Sequence, residues 1–346
     1  MDHLQRLSFT SDYMEGAHPA ILRRLLETNL EKTPGYGLDP FSESAREKIR
    51  AACRVPDAAV WFLAGGSQTN AVMIDALLRP WQGVISAESG HIATHEAGAI
   101  EHGGHKVLTL PHRDGKISAE QIRACAEAWR QDGNREHMVM PGMVYLSHPT
   151  EYGTLYSLRE LQEISGVCRA FQMPLYLDGA RLAYALACPE NDVTLPDLGR
   201  LCDAFYIGGT KCGALFGEAV VIPDGKALPH LFTLIKQHGA LLAKGRITGL
   251  QFDVLFTDGL YETIGRPAIE AAARIRSALA EKGIPPAVPS PTNQIFLLLD
   301  PARAEALAEK VEMSFMEQRD DGRVLMRIAT SWATAPEDTE RLIACL

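Results

Sequence analysis

The sequence predicts an α/β protein, with a large domain on a mostly parallel seven-stranded sheet flanked by helices, then a smaller C-terminal α+β domain. Three observations predict it. Short apolar runs closed by Gly alternate with helical patterns between about residues 60 and 222, as in parallel strands joined by crossover helices. Beyond about residue 240 the rhythm changes to long helices, a Pro-rich stretch and a strand–helix–strand–helix tail. The length, 346 residues, suits one large and one smaller domain. The division reads as an N-terminal segment 1–20, a large domain 21–250 and a small domain 251–346.

Each element has a local reason. Pro19 opens a helical stretch from Ala20 to Leu30, since proline fits a first helical turn. A loop from Lys32 to Gly37 leads to a helix at about Ser42–Cys53. Strands are read at Val60–Ala64, Gly83–Ala87, Val107–Leu110, Met143–Ser147, Leu175–Leu177, Ala204–Ile207 and Ala219–Ile222. Helices are read at Gln68–Leu78, from the cap Ser118 to Arg130 and from the cap Ser157 to about Phe171. The tail predicts helices at Leu241–Leu255 and Pro267–Lys282 and a Pro-rich linker, Ile284 to Pro291. A strand Gln294–Leu299, a helix Ala302–Val311, a strand Val324–Ala329 and a last helix from Pro336 follow.

Composition narrows the class. Hydrophobic content of 46% and charged content of 22% are those of a soluble globular enzyme. A formal net charge of −9 argues against nucleic acid or an anionic membrane surface as the partner. Seven scattered cysteines form no C-x-x-C pair, which suits a reduced, cytoplasmic compartment. The first residues lack a basic-then-apolar signal, and no apolar run is long enough to span a bilayer.

Two motifs carry the chemistry. Asp178 closes the run Leu175-Tyr176-Leu177, and Lys211 follows the run Ala204-Phe205-Tyr206-Ile207 after Gly208-Gly209-Thr210. An acid and a lysine at neighbouring strand ends, beneath an earlier Gly-rich helix start, is the layout a pyridoxal phosphate site needs. The lysine holds the cofactor covalently and the carboxylate pairs with the pyridinium nitrogen, which makes the ring an electron sink. A partly buried lysine amine has a lowered pKa and becomes nucleophilic. Gly208 and Gly209 permit close backbone approach, and the Thr210 hydroxyl can bind phosphate. Arg181, three residues after Asp178, is read as holding the ring oxygen, holding a carboxylate or neutralising Asp178. Cys212 reads as packing.

Further candidates surround this pair. Ala64-Gly65-Gly66-Ser67-Gln68 sits at a strand-to-helix turn, where free N–H groups and the Ser67 hydroxyl form an anion cradle. It is neither a dinucleotide fingerprint nor a Walker loop. His91 and His95 share one side if their segment is helical. Their order is not H-E-x-x-H, so one ring stacked on a cofactor and one acting as acid or base is preferred to a metal site. Arg327 lies in an apolar strand and should have an anionic partner, such as a substrate carboxylate.

Together these motifs resemble the pyridoxal phosphate-dependent threonine aldolases, within the β-eliminating lyase group and the aspartate-aminotransferase-like fold (fold type I). The resemblance rests on Phe9-Thr10-Ser11-Asp12, Tyr36-Gly37-Leu38-Asp39, Gly66 to Asn70, Glu88 to Gly98 and Pro149 to Thr154. It also rests on Leu177 to Arg181, Thr210-Lys211 and Arg327-Ile328-Ala329-Thr330. It implies Lys211 as cofactor anchor, Asp178 as pyridinium partner, His91 as the stacking ring, and Gly66, Ser67 and Thr210 at the phosphate. Ser11, Arg327 and Tyr36 are implied at the substrate, and His91, His95 and a phosphate-bound water are the candidates for the proton acceptor. The implied reaction is aldol cleavage of L-threonine, L-allo-threonine or related β-hydroxy-α-amino acids to glycine and an aldehyde. The family also implies a homodimer or homotetramer whose phosphate site draws a basic residue from a neighbouring subunit, here Lys244 or Arg246. Two departures stand out: Ser331 where a histidine often follows the threonine, and Gly-Ser where the phosphate turn often reads Gly-Thr. The rival readings are another lyase or an aminotransferase on the same fold, and a non-catalytic protein of that fold.

Overall fold

The computed structural model describes residues 6–346. Its strands in chain order are β1 (Leu7–Ser8), β2 (Ala59–Leu63), β3 (Gln82–Ala87), β4 (Val107–Leu110), β5 (Met140–Ser147) and β6 (Leu175–Asp178). They continue with β7 (Ala204–Gly208), β8 (Glu218–Ile222), β9 (Gln294–Leu299), β10 (Val311–Glu312), β11 (Ser314–Gln318) and β12 (Val324–Ala329). The large sheet has seven strands in the order β2-β8-β7-β6-β5-β3-β4. Pairing is parallel from β4 through β7, while β8 runs antiparallel to both β7 and β2.

The alternation of side chains along each strand splits the core into two layers. Val144, Leu146, Leu175, Leu177, Phe205 and Ile207 belong to one buried cluster. Tyr145, Tyr176 and Tyr206 belong to another, with Val84, Met143 and Val220. Parallel strands end together, so β5, β6 and β7 deliver Ser147, Asp178 and the Gly208 turn to the same edge of the sheet. Carboxyl ends of parallel strands are where an open α/β sheet leaves a crevice.

Two glycines let the strand ends close up. A Cβ on Gly179 would overlap the Tyr206 carbonyl, and one on Gly208 would overlap the Ala180 carbonyl. The Gly208 N–H instead donates to the Gly179 carbonyl at 3.0 Å, locking the aspartate turn to the lysine turn.

The smaller sheet is antiparallel, in the order β11-β12-β9. A two-stranded parallel pair, β1 with β10, stitches the amino end of the chain to this part of the molecule. The two cores meet along the helix Arg266–Glu281: Ala268 and Ile269 face the large core, and Ala272, Ile275 and Leu279 the small one. One expectation fails here. The helix predicted from Leu241 begins only at Arg246, because Gly239 takes a φ of +66° and Gly245 packs against the Gly37 backbone. The short strands β1, β10 and β11 and the helix Leu231–Gln237 were not legible, being too brief or too polar for a clear period.

Candidate active site

A cavity of about 410 Å³ opens at the carboxyl ends of the large-sheet strands, lined by Gly66, Ser67, His91, Asp178 and Lys211 among others. The helix Gly66–Leu77 starts on its wall with Gly65 as N-cap and no capping side chain. The first N–H groups of a helix have no internal acceptor, so those of Gly66 and Ser67 offer an anion site at the positive end of the helix dipole.

Asp178 is the electrostatic centre. Its Oδ1 accepts from the Tyr206 hydroxyl (2.5 Å) and the Ala180 N–H (3.0 Å). Its Oδ2 accepts from the Tyr145 hydroxyl (2.7 Å) and Asn70 Nδ2 (3.1 Å). Burial alone would raise its pKa, but the hydrogen bonds from Tyr206 and Tyr145 outweigh it and hold the carboxyl below its ordinary value. The result is a buried, ionised carboxylate with no salt-bridge partner among the described residues. The counter-charge such a group calls for is a bound cation. Tyr176 completes the layer by donating to Asn70 Oδ1 at 3.0 Å.

His91 and His95 flank the opening. The four-residue helix His91–Thr94, with His95 as its C-cap, puts the two rings on one side, 5.8 Å apart with planes at 28°. His91 Nδ1 lies 2.7 Å from Glu96 Oε1, which also accepts from Asn70 at 2.8 Å. A carboxylate acceptor calls for a proton on Nδ1. The His91 backbone N–H donates to Glu151 Oε1 (2.8 Å), which the Ser147 hydroxyl also bonds (2.6 Å). Burial raises the Glu151 pKa. Partial desolvation, then His91 and Arg327, lower that of His95.

Lys211 is held by the turn after β7, its ammonium 6.0 Å from the Tyr13 ring centre. Burial lowers its pKa first and the Arg181 charge second, as a nucleophilic amine requires. Arg181 does not pair with Asp178. Its Nε and Nη2 grip Asp12 at 2.6 and 3.0 Å, and Asn293 Nδ2 bonds the same carboxylate at 2.9 Å. Asp12 resists its burial through the charges of Arg181 and Lys211, and its pKa lies at about 2.

Arg327 was expected to meet an anion. It donates instead to the Gln294 side-chain oxygen (3.1 Å), the Thr10 carbonyl (3.1 Å) and Ser314 Oγ (3.2 Å), all neutral. Its Nε is buried without an acceptor, as are Ser11 Oγ and Gln294 Nε2. Neither Arg327 nor Ser11 is among the residues lining the cavity, and Ser11 borders a separate pocket with Glu15, Ala329 and Ser331. The orphaned Nε of the Arg327 guanidinium is the donor that fits a carboxylate coming with a ligand.

Two further expectations meet a different geometry. The Thr210 hydroxyl donates to Glu218 Oε1 at 2.7 Å, so its proton is committed within the protein. Tyr36 is not brought to the cavity within one chain: it is exposed, has a φ of +60° and lies 5.0 Å under the Lys236 ammonium. Of the two basic candidates, Arg246 opens the helix Arg246–Leu255 and ties down the end of the first helix, Pro19–Glu27. It donates to the Glu31 carbonyl (2.7 Å) and the Thr28 carbonyl (2.8 Å), whereas Lys244 is exposed. Sequence reasoning gave no role to Asp12, Asn70, Glu96, Tyr145, Glu151, Tyr206 or Glu218. The one available signal was the tyrosine that recurs on a single face of β5, β6 and β7.

The residue set fits pyridoxal phosphate: an uncapped helix start for a phosphate, an unpaired aspartate for a pyridinium, and a lysine of lowered pKa for the aldehyde. The β-eliminating lyase family model matches residues 8–318 of the chain, and the chain belongs to that family. Its relatives there are threonine aldolases. It is 30% identical over 312 residues, 88% of each chain, to a low-specificity L-threonine aldolase of a Pseudomonas species. Identity to the low-specificity L-threonine aldolase of Saccharomyces cerevisiae is 25% over 290 residues, covering 81% of this chain and 72% of the yeast one. A solved structure of the Leishmania major threonine aldolase superposes with a TM-score of 0.94 at 43% identity, covering 98% of both chains. Aspartate aminotransferase from Thermus thermophilus, at 16% identity and a TM-score of 0.72, shares the fold.

Proposed function

We propose that the protein is a pyridoxal phosphate-dependent lyase that cleaves L-threonine, L-allo-threonine and related β-hydroxy-α-amino acids to glycine and an aldehyde. The observation that carries this reading is the convergence of Asp178, Lys211 and the bare start of the helix Gly66–Leu77 on one cavity. Bound pyridoxal phosphate supplies the electron sink for cleavage of the Cα–Cβ bond.

The chain's own residues do the rest. Lys211 would anchor the cofactor, Asp178 would pair its charge with the ring nitrogen, and Gly66 and Ser67 would bind the phosphate. His91, fixed by Glu96 and Glu151, would pack against the cofactor ring. Ser11 and Arg327 hold the substrate carboxylate with the donors that lack partners in the free protein, which orients the scissile bond. His95 accepts the β-hydroxyl proton, since its lowered pKa keeps it a free base near neutrality. Arg181 stands behind this set, neutralised by Asp12.

An oligomer with shared sites is part of the proposal. Leu22, Leu26 and Leu30 form an exposed apolar line, with Leu26 at 79% and Leu30 at 92% exposure, alongside Tyr36 and Leu38. Such a line is a surface for a second copy. Lys244 and Tyr36 would reach the partner's phosphate and substrate across it. The seven free thiols support a reducing, cytoplasmic compartment. No helix among the described residues is long and apolar enough to cross a membrane.

The test is to incubate the holoenzyme with a panel of β-hydroxy amino acids and measure glycine and aldehyde. Amino-group transfer to a keto acid without glycine release would overturn the reading. A pH–rate profile tests His95. A depressed pKa moves the acid limb downward, so kcat should fall only at a pH below the ordinary histidine value of 6.5. His95→Asn should lose about a hundredfold in kcat together with that limb. An acid limb kept intact in the variant would assign the proton to another group.

A further inference from the structure

We infer that Glu218 is a positioning residue that decides whether Thr210 can offer its hydroxyl proton to the cofactor phosphate, so that phosphate binding takes up a proton onto Glu218. The inference rests on the reading of the cavity as a pyridoxal phosphate site.

The fold puts an acid where an anion is meant to bind. Because β8 runs antiparallel between β2 and β7, Glu218 is in register with Leu63 on one side and Gly208 on the other. Leu63 stands just before the phosphate turn at Gly65–Gly66, and Gly208 just before Thr210-Lys211. Glu218 is 3% exposed and lines the same cavity as Gly66, Ser67 and Thr210.

Its hydrogen bonds define two states. Glu218 Oε2 accepts from the Gly209 N–H at 3.1 Å, and Oε1 accepts from the Thr210 hydroxyl at 2.7 Å. Thr210 Oγ in turn accepts from the Gly217 N–H at 3.0 Å. A hydroxyl has one proton to give. While Glu218 is ionised that proton is spent on it, and a phosphate arriving at this corner meets a carboxylate and a lone pair. With a proton on Oε1 the direction reverses. Glu218 then donates to Thr210 Oγ, the Gly217 and Gly209 bonds persist, and the Thr210 proton is free to turn to the phosphate. No heavy atom need move, and one solvent proton enters per site.

The surroundings favour such a switch. Burial pushes the Glu218 carboxyl up to about 7, against the hydrogen bond from Thr210 and the Lys211 charge, with Asp178 reinforcing the rise. Lys211 also faces it, with a pKa that burial lowers, and is common to the wild type and Glu218→Gln; the remaining titratable groups keep one form across this range. Tyr206, Tyr176 and Tyr261 are pushed well above 10, Cys212 is raised to about 12, and Asp178 is lowered.

The experiment compares pyridoxal phosphate dissociation from apoprotein between pH 6 and 9, followed by cofactor absorbance. The proteins are the wild type, Glu218→Gln, Thr210→Val and the double variant. The glutamine amide donates permanently to Thr210 Oγ while its oxygen keeps the Gly209 bond, so it copies the protonated state. Relative to Glu218→Gln, the wild-type dissociation constant should rise about tenfold per pH unit above 7. That advantage of glutamine should vanish in the Thr210→Val background. Parallel pH profiles for wild type and Glu218→Gln would overturn the proposal, and so would a glutamine advantage undiminished by Thr210→Val, which would make Glu218 a bare charge. A wild type that binds no pyridoxal phosphate at any pH would instead defeat the reading of the cavity itself. Should the glutamine variant misfold, calorimetry of inorganic phosphate binding to wild-type apoprotein at pH 8, in two buffers of different ionisation enthalpy, decides the matter. Uptake of about one proton is expected, and zero uptake overturns the proposal.

Discussion

At the scale of single residues, the site is a set of buried charges whose partners are chosen one by one. Asp178 stays ionised because two tyrosines, an asparagine and a backbone N–H converge on it. Asp178→Asn keeps the shape but not the charge. It should retain bound cofactor and lose roughly one to two decades of kcat, the value of one charge-assisted hydrogen bond. Stopped-flow measurement of cleavage on holoenzyme checks this, and near-normal turnover would place the ring nitrogen's partner elsewhere. Asp12 plays the reverse part, since its carboxylate neutralises Arg181. Asp12→Asn leaves a buried guanidinium unpaired beside Lys211 and should destabilise the fold by about 3–5 kcal/mol in urea unfolding. The native pKa of Asp12, about 2, lies below its ordinary 3.8. Its contribution is therefore fully present above the ordinary value and is lost as pH falls towards the native one. The variant should accordingly lose less stability than wild type between pH 4 and 2.

At the scale of elements, the chemistry depends on how closely two turns approach. The Asp178 and Lys211 turns touch backbone to backbone through Gly179 and Gly208. A methyl group at Gly208 has no room beside the Ala180 carbonyl, and both turns would have to part. Gly208→Ala should cost on the order of 1–3 kcal/mol in thermal unfolding and weaken cofactor retention at the same time. A variant with lowered Tm and fully normal retention would show that the spacing of the turns does not govern the site. Elements also explain what patterns along the chain conveyed. Ser118 and Ser157 cap their helices as predicted, because a cap is settled within four residues. The start of the helix at Arg246 was missed because Gly245 packs against Gly37, some two hundred residues away in the chain.

At the scale of the whole molecule, the proposed oligomer would cover the exposed Leu22, Leu26 and Leu30 and take Lys244 to a neighbour's phosphate. Arg246 is consumed by its own chain, holding the end of the first helix, while Lys244 is exposed. The two should therefore fail differently. Lys244→Ala should weaken cofactor binding several-fold with Tm unchanged, and Arg246→Ala should lower Tm. Mixing inactive Lys211→Ala with a weakened Lys244→Ala should restore activity through hybrid dimers carrying one intact site. Activity that stays at the sum of the separate proteins would show that each chain completes its own site.

The sequence by itself determined the periodic and the local. Alternating apolar runs specified the large sheet, since burial on both faces needs continuous hydrophobic strands. The glycines and charges at strand ends marked Asp178, Lys211, Gly66 and the histidine pair. Only the tertiary structure decided which charges meet. Arg181 stands three residues from Asp178, yet it pairs with Asp12 across the chain. Arg327 was expected beside an acid and meets none among the described residues. Glu218 carried no motif at all, and its place beside Thr210 follows from β8 running antiparallel between β2 and β7. Periodicity records whether a side chain is inside or outside, because burial is a property of one residue and its strand. The partner of a buried charge depends on strand order and register, which residues far apart in the chain settle together.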